Sequence, residues 1–276
     1  MDRRDELARF LRARRDSLRP EDVGLPADRR RRTPGLRREE VAMLAGVSVT
    51  WYTWLEQGRR INASADVLTA LARGLHLDAA GRQHLLTLAD RSGAVDAGGA
   101  EPADEAPDAL VRLIASMEPS PAYVLGPTWQ FVAWNRAESR LYPTLEHLDH
   151  DHRNLLWVTF ADPAVRALVV DWEDHARRTL AEFRAGTARL GQHPQVTSLV
   201  GALTTASAEF AEWWPAQDVA HFQTRLRRYR HPWAGDLVFE YQQLTPSEWP
   251  GLRVVCQLGV PGDNSAERLR AWRPIA

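Results

Sequence analysis

Cysteine and long apolar runs are nearly absent from this sequence of 276 residues. Cys256 is the only cysteine, so one chain cannot form an internal disulfide bond or a zinc site built from several cysteines. No apolar run approaches the roughly 18 residues that a transmembrane helix needs, and the N-terminus lacks the apolar core of a signal peptide. These absences predict a cytoplasmic protein with no membrane partner.

Lysine is missing altogether, so all 35 basic residues are arginine. Their distribution is more informative than their number. Residues 1–92 contain 18 arginines against 13 acidic residues, whereas residues 93–276 contain 17 against 23. Arg29 to Arg32 form an unbroken basic block within the first part. A basic N-terminal region beside an acidic remainder indicates that the N-terminal region meets an anionic partner.

The short motifs of common enzyme chemistry are also missing, since the sequence has no G-x-S-x-G, P-loop or G-x-G-x-x-G. Residues 146–152 place three histidines and three carboxylates close together. These groups are possible zinc or nickel ligands, but they lack the helical H-E-x-x-H spacing and follow Pro143 in a predicted loop. We interpret them as a solvated polar loop and predict no enzyme activity, metal or cofactor.

Residues 33–58 predict two short helices joined by a tight turn. Pro-Gly places the start of the first helix near residues 36–37, and Gly46 ends it. Ser48 is a good cap for the second helix, which is expected to end at Gly58. A glycine in the turn permits the steep crossing angle that presents a second helix to the major groove of DNA.

This stretch resembles the helix-turn-helix of the xenobiotic-response-element (Cro/repressor-like) regulators. The residues at the family spacing are Ala42, Gly46, Val47, Ser48 and Glu56. With the flanking helices the resemblance covers residues 3–91. It predicts an all-α DNA-binding domain, which we call the head (residues 1–91).

The resemblance implies that one side of the second helix reads base edges. By position in the family the base-edge contacts fall at Val49, Thr50 and Trp54, with Trp51 and Thr53 beside them. Ser48 and the helix N-terminus are expected to bind a phosphate, and four arginines to make sequence-independent phosphate contacts. These are Arg37, Arg38, Arg59 and Arg60. Tryptophan and valine cannot form bidentate hydrogen bonds with bases, so readout should rely on thymine methyl groups and DNA shape. The alternative is that both tryptophans belong to the core of a helical bundle.

Further helices are predicted at residues 3–18, after Ser64, and at residues 78–91. Residues 92–107 are rich in glycine, alanine, proline and acidic residues and have no apolar periodicity. They are the predicted linker, flexible enough to let two heads adjust to two DNA half-sites.

Residues 108–276, which we call the C-terminal domain, change in character. A short helix at 108–117 leads to two β-type runs that predict a hairpin, and a mostly helical middle then extends to about residue 228. Two alternating runs, DLVFEYQQL and LRVVCQLGV, predict strands before a last helix. Strands at both ends of the domain predict an α+β fold in which an antiparallel sheet, with its N-terminal and C-terminal strands adjacent, is covered by helices.

Four blocks of this domain resemble the MmyB-like ligand-binding domain. They are MEPSPAYVLGPTWQFVAWNRA, NLLWVTFADPAVRALVVDWE, YRHPWAGDLVFEYQQL and VPGDNSAERL. The resemblance implies a PAS-like fold and a ligand-responsive transcription regulator.

Nine of the eleven tryptophans lie beyond the predicted linker. Large apolar walls with a few polar groups are typical of small-molecule cavities. The predicted ligand-binding residues are Trp134, Asn135, Asn154, Trp157, Arg166, Trp172 and His231. For any one tryptophan, packing in the core is the more common role.

These patterns together predict a transcription regulator that binds double-stranded operator DNA as a homodimer. Its effector is expected to be a small apolar or amphipathic molecule, for example a fatty-acid-like one, that shifts the protein between two arrangements. The competing hypothesis is a protein-interaction module whose helical head docks partners and does not bind DNA.

Overall fold

The structure, a computed structural model, describes residues 3–26, 35–61, 63–89 and 105–271. Two predicted features, the arginine block 29–32 and most of the linker 92–107, lie outside the described residues. The chain divides into two compact units. The first unit comprises Met1–Gly98, Arg184–Thr197 and Glu212–His221, and the second comprises Gly99–Phe183, Ser198–Ala211 and Phe222–Ala276.

The described part of the head is entirely helical, as predicted. Its α-helices are α1 (Arg3–Ser17), α2 (Arg38–Ala45), α3 (Val49–Glu56), α4 (Ala65–Gly74) and α5 (Ala79–Ala89). The predicted caps are confirmed, because the Ser48 hydroxyl accepts from the Trp51 amide at 3.1 Å and the Ser64 hydroxyl accepts from the Val67 amide at 3.3 Å. Gly46 ends α2 with φ 66°, a left-handed conformation that glycine adopts without strain.

The core of the head forms where α1 to α5 face one another. Its fully buried members include Phe10, Leu11, Leu36, Val41, Tyr52, Leu71 and Leu85. The same core also includes Ala188 and Val219, which come from the two later segments of the first unit.

The C-terminal domain contains a five-stranded antiparallel sheet. Its strands are β1 (Ala122–Leu125), β2 (Phe131–Trp134), β3 (Arg225–His231), β4 (Gly235–Leu244) and β5 (Arg253–Gly259). The strand order is β2-β1-β5-β4-β3, and β1 pairs with β5. The predicted hairpin and the adjacency of the first and last strands are therefore confirmed, and the α+β architecture is that expected of a PAS-like domain.

Helices cover this sheet and fill the middle of the sequence. They are α6 (Asp108–Ser116), α7 (Arg136–Leu141), α8 (Leu155–Ala161), α9 (Pro163–Leu168), α10 (Trp172–Thr187), α11 (Pro194–Ala206), α12 (Ala208–Trp213) and α13 (Ser265–Ala271). Leu110 and Ile114 of α6 pack against Ala122 and Val124 of β1 and against Val254 of β5. No helix in the ranges that the structure describes combines the length and apolar character needed to cross a membrane.

The prediction that the helical middle extends to about residue 228 is wrong, because β3 begins at Arg225. Burial in β3 alternates, with Arg227, Tyr229 and His231 buried and the residues between them exposed or partly exposed. An arginine and a histidine at buried positions conceal the apolar alternation that normally indicates a strand.

Candidate functional sites

One side of α3 is exposed in the head. Ser48, Val49, Thr50 and Trp54 are exposed, with 45% of Val49 and 39% of Trp54 open to solvent. Trp51 and Thr53 are partly buried. Tyr52 and Leu55 face the core on the opposite side of the helix. Trp54 is therefore not a core residue, and α3 presents a continuous surface to a partner.

The four predicted phosphate-binding arginines flank this surface, and all are exposed. Arg59 lies over the ring of Trp54, with its guanidinium carbon 5.8 Å from the ring centre. Arg38 donates from Nε to Oε2 of Glu56 at 2.7 Å and keeps 43% of its side chain exposed. Two of the arginines are thus oriented by contacts with α3 itself.

Glu56 is fully buried at the C-terminal end of α3. Arg15 of α1 donates to its Oε1 at 2.6 Å, and Arg38 of α2 donates to its Oε2. Arg15 also donates to the Leu36 carbonyl at 2.9 Å. Burial alone would raise the pKa of Glu56, but the hydrogen bonds from both arginines outweigh burial and lower it. This cluster fixes the second helix of the motif against its neighbours.

Arg15 is not among the residues predicted from the sequence, and Glu56 is among them only for its spacing within the motif. An acidic residue on the inner side of a helix, with an arginine on the facing helix, is the signal that could have revealed the pair.

In the C-terminal domain, the two predicted ligand-binding asparagines cap helices. Asn135 accepts from the Glu138 amide and the Ala122 amide, both at 3.0 Å. Asn154 accepts from the Leu156 amide at 2.9 Å and donates to the Thr128 carbonyl at 2.8 Å. Both side chains are therefore occupied by the protein backbone.

The other predicted ligand-binding residues are dispersed through the domain. Trp172 donates to the Thr159 carbonyl at 2.8 Å, and Arg166 lies 3.8 Å from the centre of its ring. Trp157 stacks on His152, with ring centres 4.1 Å apart. His231 contacts the Arg140 carbonyl through Nε2 at 3.0 Å. Trp134 lies 6.5 Å from Phe131 between ring centres and is partly buried.

A cavity lies between the sheet and the helices of the second unit, and none of the seven predicted ligand-binding residues is among its lining residues. The space between its atoms is about 360 Å³ including open solvent, and the centre of a water-sized sphere can occupy about 10 Å³ of it, so a larger molecule would enter only if the lining moved. The lining is Tyr123, Phe131, Tyr142, Thr144, Leu145, Leu155, Val158, Thr159, Val165 and His175. The polar side chains of the lining have partners within the protein: Thr144 donates to Asp162, Thr159 to the Leu155 carbonyl and Tyr142 to the Tyr229 hydroxyl, while His175 Nδ1 contacts the Thr179 hydroxyl at 3.5 Å.

A buried polar network adjoins this cavity. The hydroxyl groups of Tyr123 and Tyr241 share a hydrogen bond, Tyr229 donates to Gln257, and Gln257 donates to Oε2 of Glu138 at 3.1 Å. Arg227, 6% exposed, lies 3.8 Å from the ring centre of Tyr241. The Arg227 Nε and the Glu138 Oε1 have no hydrogen-bond partner among the described residues.

Near the cavity, the buried positive charge of Arg227 is not matched by a negative charge on a described residue. Burial raises the pKa of Glu138 to about 8, even though Gln257 and Arg227 act to lower it, so this carboxyl is mostly protonated at neutral pH. Burial, together with the positive charges of Arg227 and Arg225, lowers the pKa of His175 well below its usual range. The positive charge of Arg227, which is not a lining residue, therefore acts on a neutral imidazole that lines the cavity and on a mostly protonated carboxyl.

No group of three or more histidine, cysteine or carboxylate side chains in the described part of the chain is arranged to hold a metal ion.

Two family models match the sequence. Residues 106–271 match the MmyB-like transcription regulator ligand binding domain, which is more than half of the chain, and residues 6–85 match a helix-turn-helix domain. No curated protein matches the chain. The cavity lies within the first match and the exposed side of α3 within the second, and both matched domains are regulatory rather than catalytic.

Proposed function

Because the chain belongs to the MmyB-like transcription regulators, we propose that α3 of its head reads double-stranded operator DNA in the major groove. The observation that carries this proposal is the exposed side of α3, where Val49, Thr50 and Trp54 stand beside Arg59 and Arg60. An apolar reading surface flanked by arginines suits thymine methyl groups and phosphates, respectively.

The cation-π contact between Arg59 and Trp54 gives these residues linked roles. Trp54 touches bases and also fixes the direction of Arg59, which contacts the adjacent phosphate. Glu56 fixes the position of the same helix through its ion pairs with Arg15 and Arg38.

Titration of the full chain against a labelled duplex at about 50 mM and about 200 mM salt tests DNA binding. Each phosphate contact should contribute about −0.9 to the slope of log K against log salt concentration. The full chain is needed because residues 184–197 and 212–221 pack with the head. Undetectable or salt-independent binding would instead support the alternative, a head that docks protein partners.

Trp54→Ala and Arg59→Ala form a matched pair for the reading surface. Trp54→Ala should reduce discrimination between a selected operator and random DNA by about ten-fold or more, since base contacts contribute about 1–3 kcal/mol of specificity. Arg59→Ala should weaken binding to both duplexes about equally. Equal losses for both variants on both duplexes would remove Trp54 from base recognition.

The cavity is proposed to bind an amphipathic molecule with an anionic head group, such as a fatty-acid-like one. Its apolar lining suits a hydrocarbon tail, and Tyr142 and His175 provide polar groups at the side where Arg227 contributes positive charge. A carboxylate placed there would balance the guanidinium, which has no ion pair in the described part of the chain.

Calorimetric titrations with decanoate and with 1-decanol distinguish the contribution of the head group to affinity from that of the hydrocarbon tail. We expect decanoate to bind at least about ten-fold more tightly, because only the acid supplies the negative charge. Equal affinities would reject the anionic head group but leave an apolar ligand, and native mass spectrometry of the purified protein would show any co-purified molecule.

A homodimer is also part of the proposal. One head buries too little DNA surface for tight specific binding, and two-fold operators are read by two-fold proteins. Native mass spectrometry gives the subunit number, and a protein that is monomeric both alone and on its operator would contradict this.

A further inference from the structure

Two segments that belong by sequence to the ligand-binding match pack with the head. Arg184–Thr197 and Glu212–His221 lie inside the match of residues 106–271, yet both are part of the first unit. Ala188 and Val219, one from each segment, are buried in the core of the head.

Polar contacts join the same segments to α1. Arg14 donates to the Gln217 carbonyl at 3.1 Å and forms an ion pair with Asp218 at 3.2 Å. Arg3 donates to the Arg189 carbonyl at 2.9 Å. The segments therefore pack with the head through apolar groups in its core and through polar and charged groups on α1, while the exposed side of α3 stays uncovered.

Arg184 organises this region. Its side chain is 1% exposed, donates to the Asp218 carbonyl at 2.8 Å and to the Trp214 carbonyl at 2.5 Å, and lies 4.2 Å from the ring centre of Trp214. One guanidinium thus joins the first segment to the second. His84 of α5 is buried nearby, and burial, with the charges of Arg184 and Arg14, lowers its pKa to about 3, so it stays neutral.

Helix α10 belongs to both units. His175, near its start, lines the cavity, and its residues from Arg184 onward belong to the first unit. Nine residues separate these two positions, or about 13 Å of helix at 1.5 Å per residue. A continuous helix transmits displacement along its axis because its backbone hydrogen bonds resist stretching.

We propose that residues 184–197 and 212–221 are the coupling element through which the ligand-binding domain sets the DNA affinity of the head. The inference rests on the proposed function. The docked segments hold α1 in one arrangement. A ligand that moves His175 displaces α10 and changes that docking, so that DNA and ligand bias the same equilibrium.

Charge reversal tests the docking in the full chain. Asp218→Arg places two arginines together and should speed hydrogen exchange in α1 and in residues 184–190, whereas the double variant Arg14→Asp with Asp218→Arg should restore slow exchange. Asp236→Arg is the control, since Asp236 is an exposed carboxylate that faces Arg230 on the sheet and is remote in sequence from both segments. Exchange that is equal in the Asp218 and Asp236 variants would overturn the docking.

A DNA duplex is the probe for coupling between the head and the two docked segments. Binding of a random-sequence duplex at low salt should change hydrogen exchange in residues 184–197 and 212–221, because linkage is reciprocal. Asp218→Arg should also shift duplex affinity by about two- to five-fold relative to Asp236→Arg, with recovery in the double variant. If the wild type binds no duplex, the proposed function fails. If it binds but exchange changes only in α2 and α3, the coupling inference alone fails.

Discussion

Each unit contains a buried charged residue, and the two residues differ in whether they have an ion-pair partner. In the head, Glu56 is completely buried and receives hydrogen bonds from two arginines. In the C-terminal domain, Arg227 is buried against tyrosines, and no carboxylate in the described ranges lies within ion-pair distance of it. Glu138, whose pKa the Arg227 charge acts to lower, is nevertheless mostly protonated at neutral pH.

This difference matches what each unit is proposed to do. The head must hold α3 rigidly before it meets DNA, and a satisfied ionic cluster that ties α1, α2 and α3 together provides that rigidity. The C-terminal domain must respond to a ligand, and an unbalanced buried charge is stabilised only when a complementary group arrives.

The largest effect is expected from Glu56→Ala. Removal of this carboxylate leaves the buried Arg15 guanidinium with only the Leu36 carbonyl and the exposed Asp16 as partners and should lower the free energy of unfolding by about 3–5 kcal/mol. Urea denaturation followed by circular dichroism measures it. Glu173→Ala, which breaks an exposed pair with Arg177 at 3.0 Å, is the control and should cost no more than about 0.5 kcal/mol. Similar costs for both variants would show that the buried cluster is not a scaffold.

The second-largest effect is expected in how the free energy of unfolding depends on pH, and it arises from Glu138. Its folded pKa of about 8 exceeds its unfolded value, so the folded state keeps a proton that the unfolded state has lost, and stability should fall as pH rises toward 8. The slope from one such group is about 1.4 kcal/mol per pH unit, or roughly 2 kcal/mol between pH 6.5 and 8. Glu138→Gln should remove this fall.

His175 and His84 contribute a pH dependence of opposite sign. Their lowered pKa values make stability fall as pH decreases through the unfolded value near 6.5, but this effect fades as pH rises above about 7 and is common to wild type and variant. Glu138→Gln keeps an acceptor for Gln257, so packing is conserved. Parallel stability curves for wild type and variant would mean that Glu138 is ionised in the folded protein.

Local signals predicted the head well, because its helices are bounded by residues that act on their nearest neighbours. Gly46 and Ser48 set the turn through backbone conformation and capping, and both are readable from sequence. The same reasoning would have placed Asn135 and Asn154 as caps, since each immediately precedes a helix. Polarity alone, which predicts both as ligand-binding residues, does not contain this positional information.

The cavity could not be predicted in this way. Tyr123, Tyr142 and His175 come from three separate elements, and only the tertiary fold brings them together. Strand β3 was missed because Arg227 occupies an inward position that normally belongs to an apolar residue. A buried arginine is rare enough that sequence patterns assign it to the surface. The charge of Arg227 also acts on His175, a lining residue of the cavity.

Replacement of Arg227, the buried charge without an ion pair among the described residues, should raise the free energy of unfolding, and by less than Glu56→Ala lowers it. Arg227→Met keeps much of the side-chain volume and removes a buried cation, so the ligand-free protein should become more stable by about 1 kcal/mol. The same variant should bind decanoate and 1-decanol with similar affinity. Urea denaturation and calorimetry measure the two quantities. A large loss of stability would mean that Arg227 is a structural residue like Arg15 and that the two clusters do not differ.

The smallest effect is expected for Arg38→Ala, which separates the two arginines of the head cluster. Arg38 shares Glu56 with Arg15, but its side chain is 43% exposed, so water can replace its hydrogen bond to Oε2. The free energy of unfolding should fall by only about 0.5–1 kcal/mol.

Duplex affinity of Arg38→Ala should fall as well, with a salt slope smaller by about 0.9, because the exposed part of the guanidinium is the part proposed to contact a phosphate. Arg15→Met, which replaces the buried arginine, should leave the salt slope unchanged. A stability loss for Arg38→Ala as large as that for Glu56→Ala, with no change in slope, would assign Arg38 to the scaffold alone.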